Sequence, residues 1–250
     1  MTDSPEEAHL RQRRLYDRLW TAGRDVALSP DLIRFRVWGP HLRSPVVDIG
    51  AGDALLARSF SSLRIFSVDV SDVGIRQVAP KAVVAAAETL PIRSGGARTV
   101  VLSEVLEHAS QPAGVLSECR RILSDDGLLL LLTPLWPIAR TAYIYFWQKI
   151  GERPSLRNLS KWDPEHERRY RLGDLLAEVR QSGFEPVELT PLFGSATATA
   201  LYVIEPLMAR FGGRRPRLAQ RLTGVDRLIR PVDRPSAAAL VCRPDGPPGS

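Results

Sequence analysis

The 250-residue sequence predicts an α/β fold in which a mostly parallel, doubly wound sheet is covered by helices on both faces. Short apolar runs typical of buried strands alternate with amphipathic segments from Pro45 onwards. A turn with two glycines follows the first run, as at the crevice of such sheets. Seven strands are expected: Val46–Ile49, Ile65–Val68, Ala82–Ala86, Val100–Leu102, Leu128–Thr133, Pro186–Leu189 and Ala237–Cys242.

Two of the connecting helices can be recognised from the spacing of their apolar residues. The first follows a capping residue, Ser110, and a helix-starting proline, Pro112, and is expected to stop at Asp125-Asp126-Gly127. The second covers Leu172–Ser182 and is stopped by Gly183. Helices at these places return the chain from one strand to the next.

The chain divides into a main domain, two insertions and two ends. Residues 1–44 include a helical pattern with an apolar face at Glu6–Trp20 and are predicted to form a lid or a surface helix packed on the core. The main domain spans 45–243, with helical cap insertions at 135–170 and 193–236, the second of which is too long for a simple connection. The Pro/Gly-rich tail 244–250 is predicted to be disordered.

Composition limits the compartment and the partners. The amino-terminal stretch lacks the basic and then apolar run of a secretory leader, so we expect a cytoplasmic protein. Cys119 and Cys242 lie far apart and outside metal-ligand spacing, which predicts two buried thiols and no metal site. The net charge of +6 comes almost entirely from arginine, and without a recognisable RNA-binding module we expect no nucleic-acid partner.

The strongest functional signal is the strand Val46–Ile49 running into Gly50 and Gly52. Glycines at this place let the chain turn sharply and let a ligand approach the backbone. A dinucleotide-binding fingerprint would need a third glycine three positions after Gly52, and that position is Leu55. An acid two residues before the first glycine, Asp48, is also unusual for a dehydrogenase. By itself the motif fits either a ligand site or a simple strand-to-helix turn.

Polar residues also follow the next three strands. Asp69 ends the second strand, where its carboxylate would accept both hydroxyls of a ribose. The third strand leads to Ala87 and Glu88, and the fourth leads to Ser103 and then His108. Because these positions occur in the order in which a doubly wound sheet lines its crevice, they predict one shared ligand site.

The stretch from Pro45 to Pro134 resembles the class I S-adenosylmethionine-dependent methyltransferases, and within them the broad group that includes the ubiquinone and menaquinone biosynthesis methyltransferases. The resemblance implies a Rossmann-like fold and S-adenosyl-L-methionine as cofactor. Besides the glycine turn and the strand ends, it is carried by Ser103-Glu104-Val105-Leu106-Glu107-His108, Glu118-Cys119-Arg120-Arg121-Ile122-Leu123 and Gly127-Leu128-Leu129-Leu130.

The resemblance also implies a part for each strand end. The methionine part of the cofactor falls to the glycine turn, the ribose to the carboxylate after the second strand, and the adenine to packing and to the third strand end. The predicted cofactor-binding residues are Asp48, Gly50, Gly52, Asp69, Val70, Ala87, Glu88 and Ser103. The family usually has an acid for the adenine amino group where this chain has Ala86, so Glu88, a backbone carbonyl or packing alone must substitute.

Methyl transfer from a sulfonium is an in-line displacement in which positioning alone contributes about 7–11 kcal/mol. A base is therefore optional. If the acceptor is a hydroxyl or an acidic carbon, His108 is the best placed candidate base, and the alternative is that it only caps or hydrogen-bonds the next loop. His166 is a second candidate, for which anchoring of a loop over the pocket is favoured over catalysis.

Acceptor choice is expected to depend on the amino-terminal helix and the two insertions. Their aromatic residues suit an apolar small molecule, although each of them fits ordinary core packing as well. The predicted substrate-pocket residues are Tyr16, Trp20, Trp136, Tyr143 and Tyr202. Arginines in the same segments suit an amphipathic acceptor with an acidic head, or peripheral contact with an anionic membrane surface.

The sequence therefore predicts methyl transfer from S-adenosylmethionine to an O, N or C atom of a small acceptor of the secondary-metabolite, lipid or quinone type. Two alternatives stay open. One is a non-catalytic protein that keeps the cofactor fold as a binding or scaffold module, for which Ala86 leaves room. The other is a nicotinamide-dependent oxidoreductase, against which the missing third glycine argues.

Overall fold

The computed structural model describes residues 30–75, 82–135, 170–192 and 237–246, together with residues 7, 10, 13, 14, 17 and 168. Most of the two insertions and of the tail lies outside these residues. Several residues predicted from the sequence also lie outside them: Tyr16, Trp20, Trp136, Tyr143, His166 and Tyr202. Their predicted parts in the acceptor pocket stay predictions.

Within the described residues the sheet has seven strands in the order β3-β2-β1-β4-β5-β7-β6. All neighbouring strands are parallel except that β7 runs antiparallel to both β5 and β6. The strands are β1 Val46–Ile49, β2 Ile65–Asp69, β3 Ala82–Val84, β4 Ala97–Ser103, β5 Leu123–Pro134, β6 Phe184–Leu192 and β7 Ala237–Pro244. The predicted mostly parallel, doubly wound sheet is confirmed, and its strand order reverses between β1 and β4.

Some strands are longer than the apolar pattern predicts. The edge strand β6 is the clearest case, because Val187, Glu188 and Leu189 along it are all exposed. An edge strand needs no continuous apolar run, since it has only one neighbouring strand. Backbone pairing with β7 over its whole length therefore sets its bounds instead.

Five helices are described, with two short 3-10 turns at Gly39–His41 and Leu106–His108. Helix α4 has the predicted apolar face but ends earlier than predicted, at Ile122. The next residue, Leu123, already pairs with Ala97 of β4, so strand pairing ends the helix. The residue before its first turn is Gln111 rather than the predicted cap Ser110. The helices are α1 Pro30–Trp38, α2 Leu55–Ser59, α3 Asp72–Ile75, α4 Pro112–Ile122 and α5 Leu172–Gln181.

Most buried residues of the central strands are apolar because both faces of the sheet are covered. On β5, Leu129 and Leu131 belong to the core on the α4 and α5 side, while Leu130 and Leu132 face the opposite core with Trp38 of α1. All five are 0–1% exposed. Full burial of such a side chain contributes about 1.5–3 kcal/mol, so the sheet is a rigid base for the loops at its edge. None of the described helices is long and apolar enough to cross a membrane.

Candidate cofactor site

The glycine turn after β1 needs glycine for two separate reasons. Gly50 has φ of +71° and Gly52 has φ of +55°, in the left-handed region that side chains disfavour. A Cβ atom at Gly50 would also lie 2.3 Å from Cγ2 of Val105, at the end of β4. The Gly50 N–H donates to the carbonyl of Val68 at 2.8 Å, which ties the turn to β2. Gly50 itself is exposed, so a ligand can approach the backbone of the turn.

Asp69 joins the end of β2 to this turn. Its Oδ2 accepts the Gly52 N–H and its Oδ1 accepts the Ser71 N–H, each at 2.8 Å. Burial raises the pKa of Asp69, while these backbone hydrogen bonds act in the opposite direction. A carboxylate has about four acceptor positions, so this group keeps capacity for ligand hydroxyls. The side chain is oriented before any ligand arrives.

Asp48 and Val70 flank this pair. Asp48 is buried within β1, in register with Ser67 of β2 and Val101 of β4, directly below the glycine turn. Val70 is half-buried and follows β2 immediately. The structure thus brings the predicted residues of the first two strand ends to one edge of the sheet.

The loop after β3 forms the next part of this edge. The Ala85 N–H donates to the carbonyl of Asp69 at 3.0 Å, and the Thr89 N–H donates to the carbonyl of Ala86 at 3.1 Å. Ala87 and Glu88 are half-buried within this turn. The stem of Glu88 points at the first turn of α4, because a Cβ atom on Gly114 would lie 3.8 Å from its Cγ.

An arginine that the sequence pattern does not predict lies beside the end of β4. Arg34 of α1 donates through Nη1 to Ser103 Oγ, so a guanidinium lies at the crevice. The next residue, Glu104, is exposed and has φ of +53°, an uncommon conformation for a residue with a side chain. Arg34 is 69 residues from Ser103 in the chain, and no short motif marks such a contact.

His108, the candidate base, lies beside a buried carboxylate. Its Nε2 is 3.9 Å from Oε1 of Glu107, and Glu107 is 1% exposed. The other oxygen of Glu107 accepts the hydroxyl of Thr133 at 3.0 Å, and its carbonyl accepts the Arg168 N–H at 3.1 Å. The candidate base therefore lies within 4 Å of a buried carboxylate, and both its catalytic role and its alternative as a loop-capping histidine stay predictions.

Tyr170 lies in the same region and is 4% exposed. Burial raises the pKa of its hydroxyl, and Leu135 forms an isolated parallel bridge with it. The two ends of the first insertion therefore meet next to β5.

The amino-terminal segment reaches the end of β2. The Ser71 hydroxyl donates to Oδ1 of Asp17 at 2.6 Å, and Arg13 lies 3.7 Å from Asp72. These contacts lie next to Asp69, and a lid over the site would have to be attached at such a place. The lid itself stays a prediction.

The two cysteines are buried, as predicted, and burial raises the pKa of Cys242 to about 12. Burial also raises the pKa of Cys119. Among the described residues no group of three or more His, Cys, Asp or Glu is arranged to hold a metal ion. The described edge presents backbone groups, the guanidinium of Arg34, the imidazole of His108, and the carboxylates of Asp48, Asp69, Glu88, Glu104 and Glu107.

Comparison with known proteins agrees with this arrangement. A family model described as a methyltransferase domain matches residues 47–131, which run from β1 into β5. The ubiquinone biosynthesis O-methyltransferase of Burkholderia pseudomallei (strain 1710b) is 29% identical over 156 residues, 58% of this chain and 66% of that relative. The match thus covers just under two thirds of the relative's length.

Solved structures share the fold. A SAM dependent methyltransferase from Archaeoglobus fulgidus aligns with a TM-score of 0.59 at 16% identity, over 86% of this chain and 94% of that one. An S-adenosylmethionine dependent methyltransferase from Mesorhizobium loti aligns with a TM-score of 0.53 at 16% identity, over 84% and 97%. These findings show that residues 47–131 form a methyltransferase domain, and the glycine turn and strand-end acids within it support a class I S-adenosylmethionine-dependent methyltransferase.

Proposed function

We propose that this chain transfers a methyl group from S-adenosylmethionine to an O, N or C atom of a small, apolar or amphipathic acceptor. The observation that carries the proposal is the bond between Gly52 and Asp69. It joins the open turn suited to the methionine part of the cofactor to the carboxylate suited to its ribose. One preformed unit can therefore take both parts.

The residues at the sheet edge fit this cofactor. Gly50 is exposed, which leaves its backbone accessible to the methionine part. The methionine part of the cofactor carries a carboxylate. The guanidinium of Arg34, which contacts Ser103 at the end of β4, is a suitable partner for this anion. Val70 offers an apolar surface to adenine, next to the Ala87 and Glu88 turn.

When bound, the cofactor supplies a methyl group already activated on sulfonium. The chain then has to hold the acceptor in line with that methyl group and exclude water, and this positioning is the main catalytic task. For a hydroxyl acceptor, we assign proton removal to the imidazole of His108. Its Nε2 lies 3.9 Å from the carboxylate of Glu107, which is buried.

An oxygen acceptor on a quinone-type ring is the finer form of the proposal. Its support is the similarity to the Burkholderia relative, an O-methyltransferase of ubiquinone biosynthesis. The insertions 135–170 and 193–236 would supply the acceptor pocket, and their arginines would suit an acidic head or a membrane surface.

Calorimetry with S-adenosylmethionine, S-adenosylhomocysteine and NAD tests the cofactor assignment. We expect the two sulfur nucleosides to bind and NAD not to bind. Incubation with a labelled methyl donor and a panel of phenols, amines and acidic carbon acids then tests transfer. Binding without transfer to any acceptor class would favour the scaffold alternative, and binding of NAD alone would favour the oxidoreductase.

A further inference from the structure

Two side chains of α4 hold the backbone of the loop that joins β3 to β4. Oε1 of Glu118 accepts the Leu90 N–H at 2.7 Å, and Nη2 of Arg121 donates to the Leu90 carbonyl at 3.1 Å. The same two side chains are joined to each other by two hydrogen bonds of 2.7 Å. Both polar backbone groups of Leu90 are therefore held by one charged unit, here named the Glu118–Arg121 clamp.

The clamp is suited to fixing this loop. The hydrogen bond from Arg121 is the main cause that holds the pKa of Glu118 below its ordinary value, so the pair is charged at neutral pH. Charge-assisted, bidentate pairs are stronger and more directional than neutral hydrogen bonds. The carbonyl of Arg121 also accepts the Gly95 N–H at 3.0 Å, and the side chain of Leu90 is buried in the core.

The clamped residue lies two positions after Glu88, in the loop assigned to adenine. At its other end, this loop is tied to the ribose-binding strand end by the bond from Ala85 N–H to the Asp69 carbonyl. Residues 86–89 thus run between two fixed points. Ala86 lacks the usual acid, and the stem of Glu88 leans on α4, so the backbone groups of this stretch are the ones left to meet the edge of adenine.

We propose that the Glu118–Arg121 clamp positions the backbone of residues 86–89 for adenine recognition, without touching the cofactor itself. The inference rests on the proposed cofactor site. Backbone groups cannot adapt as a long side chain can, so they discriminate between ligands only if they are held in place beforehand. Glu118 and Arg121 are accordingly positioning residues.

The test compares S-adenosylhomocysteine with S-inosylhomocysteine, in which an oxo group replaces the adenine amino group. Calorimetry gives the ratio of the two dissociation constants for the full chain and for Glu118→Ala. We expect the parent to prefer the adenine ligand, and the variant to lose about ten-fold in that affinity and most of the preference. Glu118→Gln keeps an acceptor for Leu90 N–H and should retain much of the preference.

Asp126→Ala is the matched control, because it breaks an exposed pair with Arg98 at 2.9 Å near the start of β4. It should leave the ratio unchanged. A folded Glu118→Ala variant with the parental ratio would overturn the inference, since a merely structural role weakens both ligands alike. If that variant does not fold, Arg121→Met decides in the same way. A parent that binds neither ligand contradicts the proposed function, and a parent that binds both equally contradicts only the adenine assignment.

Discussion

The glycine turn with Asp69 and the pair of Glu107 with His108 lie at neighbouring parts of one sheet edge, yet they are built differently. The first is held by backbone hydrogen bonds over a short separation, 17 residues from Gly52 to Asp69. The second depends on the side chain of Thr133 and on the backbone of Arg168, near the end of the first insertion. We therefore expect the fold to preorganise the proposed cofactor half, and the first insertion to shape the proposed acceptor half. Changes in the first should alter cofactor binding, and changes in the second should alter turnover.

The largest effect is expected for Gly50→Ala. The left-handed conformation costs about 1–2 kcal/mol for a residue with a side chain, and overpacking against Val105 adds about 1–3 kcal/mol. We expect the free energy of unfolding to fall by about 2–5 kcal/mol, and cofactor binding to be lost. Urea unfolding and calorimetry measure the two effects.

Gly95→Ala separates the two causes, because Gly95 has φ of +63° and a Cβ atom there would meet nothing within 4 Å. It should lose only the conformational part and keep cofactor affinity. Adding Val105→Ala to Gly50→Ala should restore part of the stability. Equal losses for the two glycine variants would mean that the contact with Val105 does not matter.

Asp69→Asn comes next. Hydrogen bonds to charged groups contribute about 1.5–3 kcal/mol each, so loss of one predicts an affinity for S-adenosylhomocysteine about 10- to 100-fold weaker. The ionised carboxylate is the form that accepts hydroxyls, and burial raises its pKa above the ordinary 3.8. Parental affinity should therefore fall as the pH drops towards that raised pKa, earlier than for an ordinary aspartate.

The asparagine variant has no such titration, so its affinity should be flat over the same pH range. Asp126→Asn, at an exposed carboxylate, serves as control and should behave like the parent. An Asp69→Asn variant with the parental affinity and pH dependence would remove Asp69 from the site.

His108→Gln tests the acceptor half. With a hydroxyl acceptor, we expect kcat to fall by about 100-fold, the lower end of general base contributions, while the dissociation constant of S-adenosylhomocysteine stays unchanged. The matched control is His41→Gln, at a histidine 3.2 Å from Glu188 and outside the site. If His108→Gln keeps the parental kcat, His108 has a structural role and is not the base. If the variant binds S-adenosylhomocysteine more weakly, the cofactor and acceptor halves are not independent.

The same division explains what the sequence predicts well. Val46–Ile49 was predicted to the residue, and the strand-end residues were found, because a buried parallel strand and a glycine turn each leave a local pattern. Local patterns do not predict features that depend on contacts between residues far apart in the sequence. The end of α4 depends on pairing of Leu123 with Ala97, and the position of Arg34 depends on Ser103.

The candidate acceptor half was harder for the same reason. His108 was chosen from its place after β4, but nothing nearby in the sequence indicates that Thr133 would hold the acid beside it. The left-handed conformation of Glu104 also has no sequence signal, since glycine is the usual marker of that region. The aromatic residues assigned to the pocket lie outside the described residues, so that assignment stays a prediction.

The smallest effect is expected for Ser71→Ala, which asks whether the amino-terminal segment closes the cofactor half. The change removes the hydroxyl that donates to Asp17 at 2.6 Å but keeps the backbone N–H that donates to Asp69. A hydrogen bond of this kind contributes about 0.5–1.5 kcal/mol, so the dissociation rate of S-adenosylhomocysteine should rise about two- to ten-fold. The association rate should change little, because the strand ends that receive the ligand are unaltered.

Stopped-flow measurement of both rates provides the test, with Ser182→Ala as control, since that hydroxyl donates to the Glu178 carbonyl at the end of α5. If Ser71→Ala and Ser182→Ala release the ligand equally fast, the contact with Asp17 does not retain the cofactor, and the predicted lid must act through other residues of 1–44 or not at all.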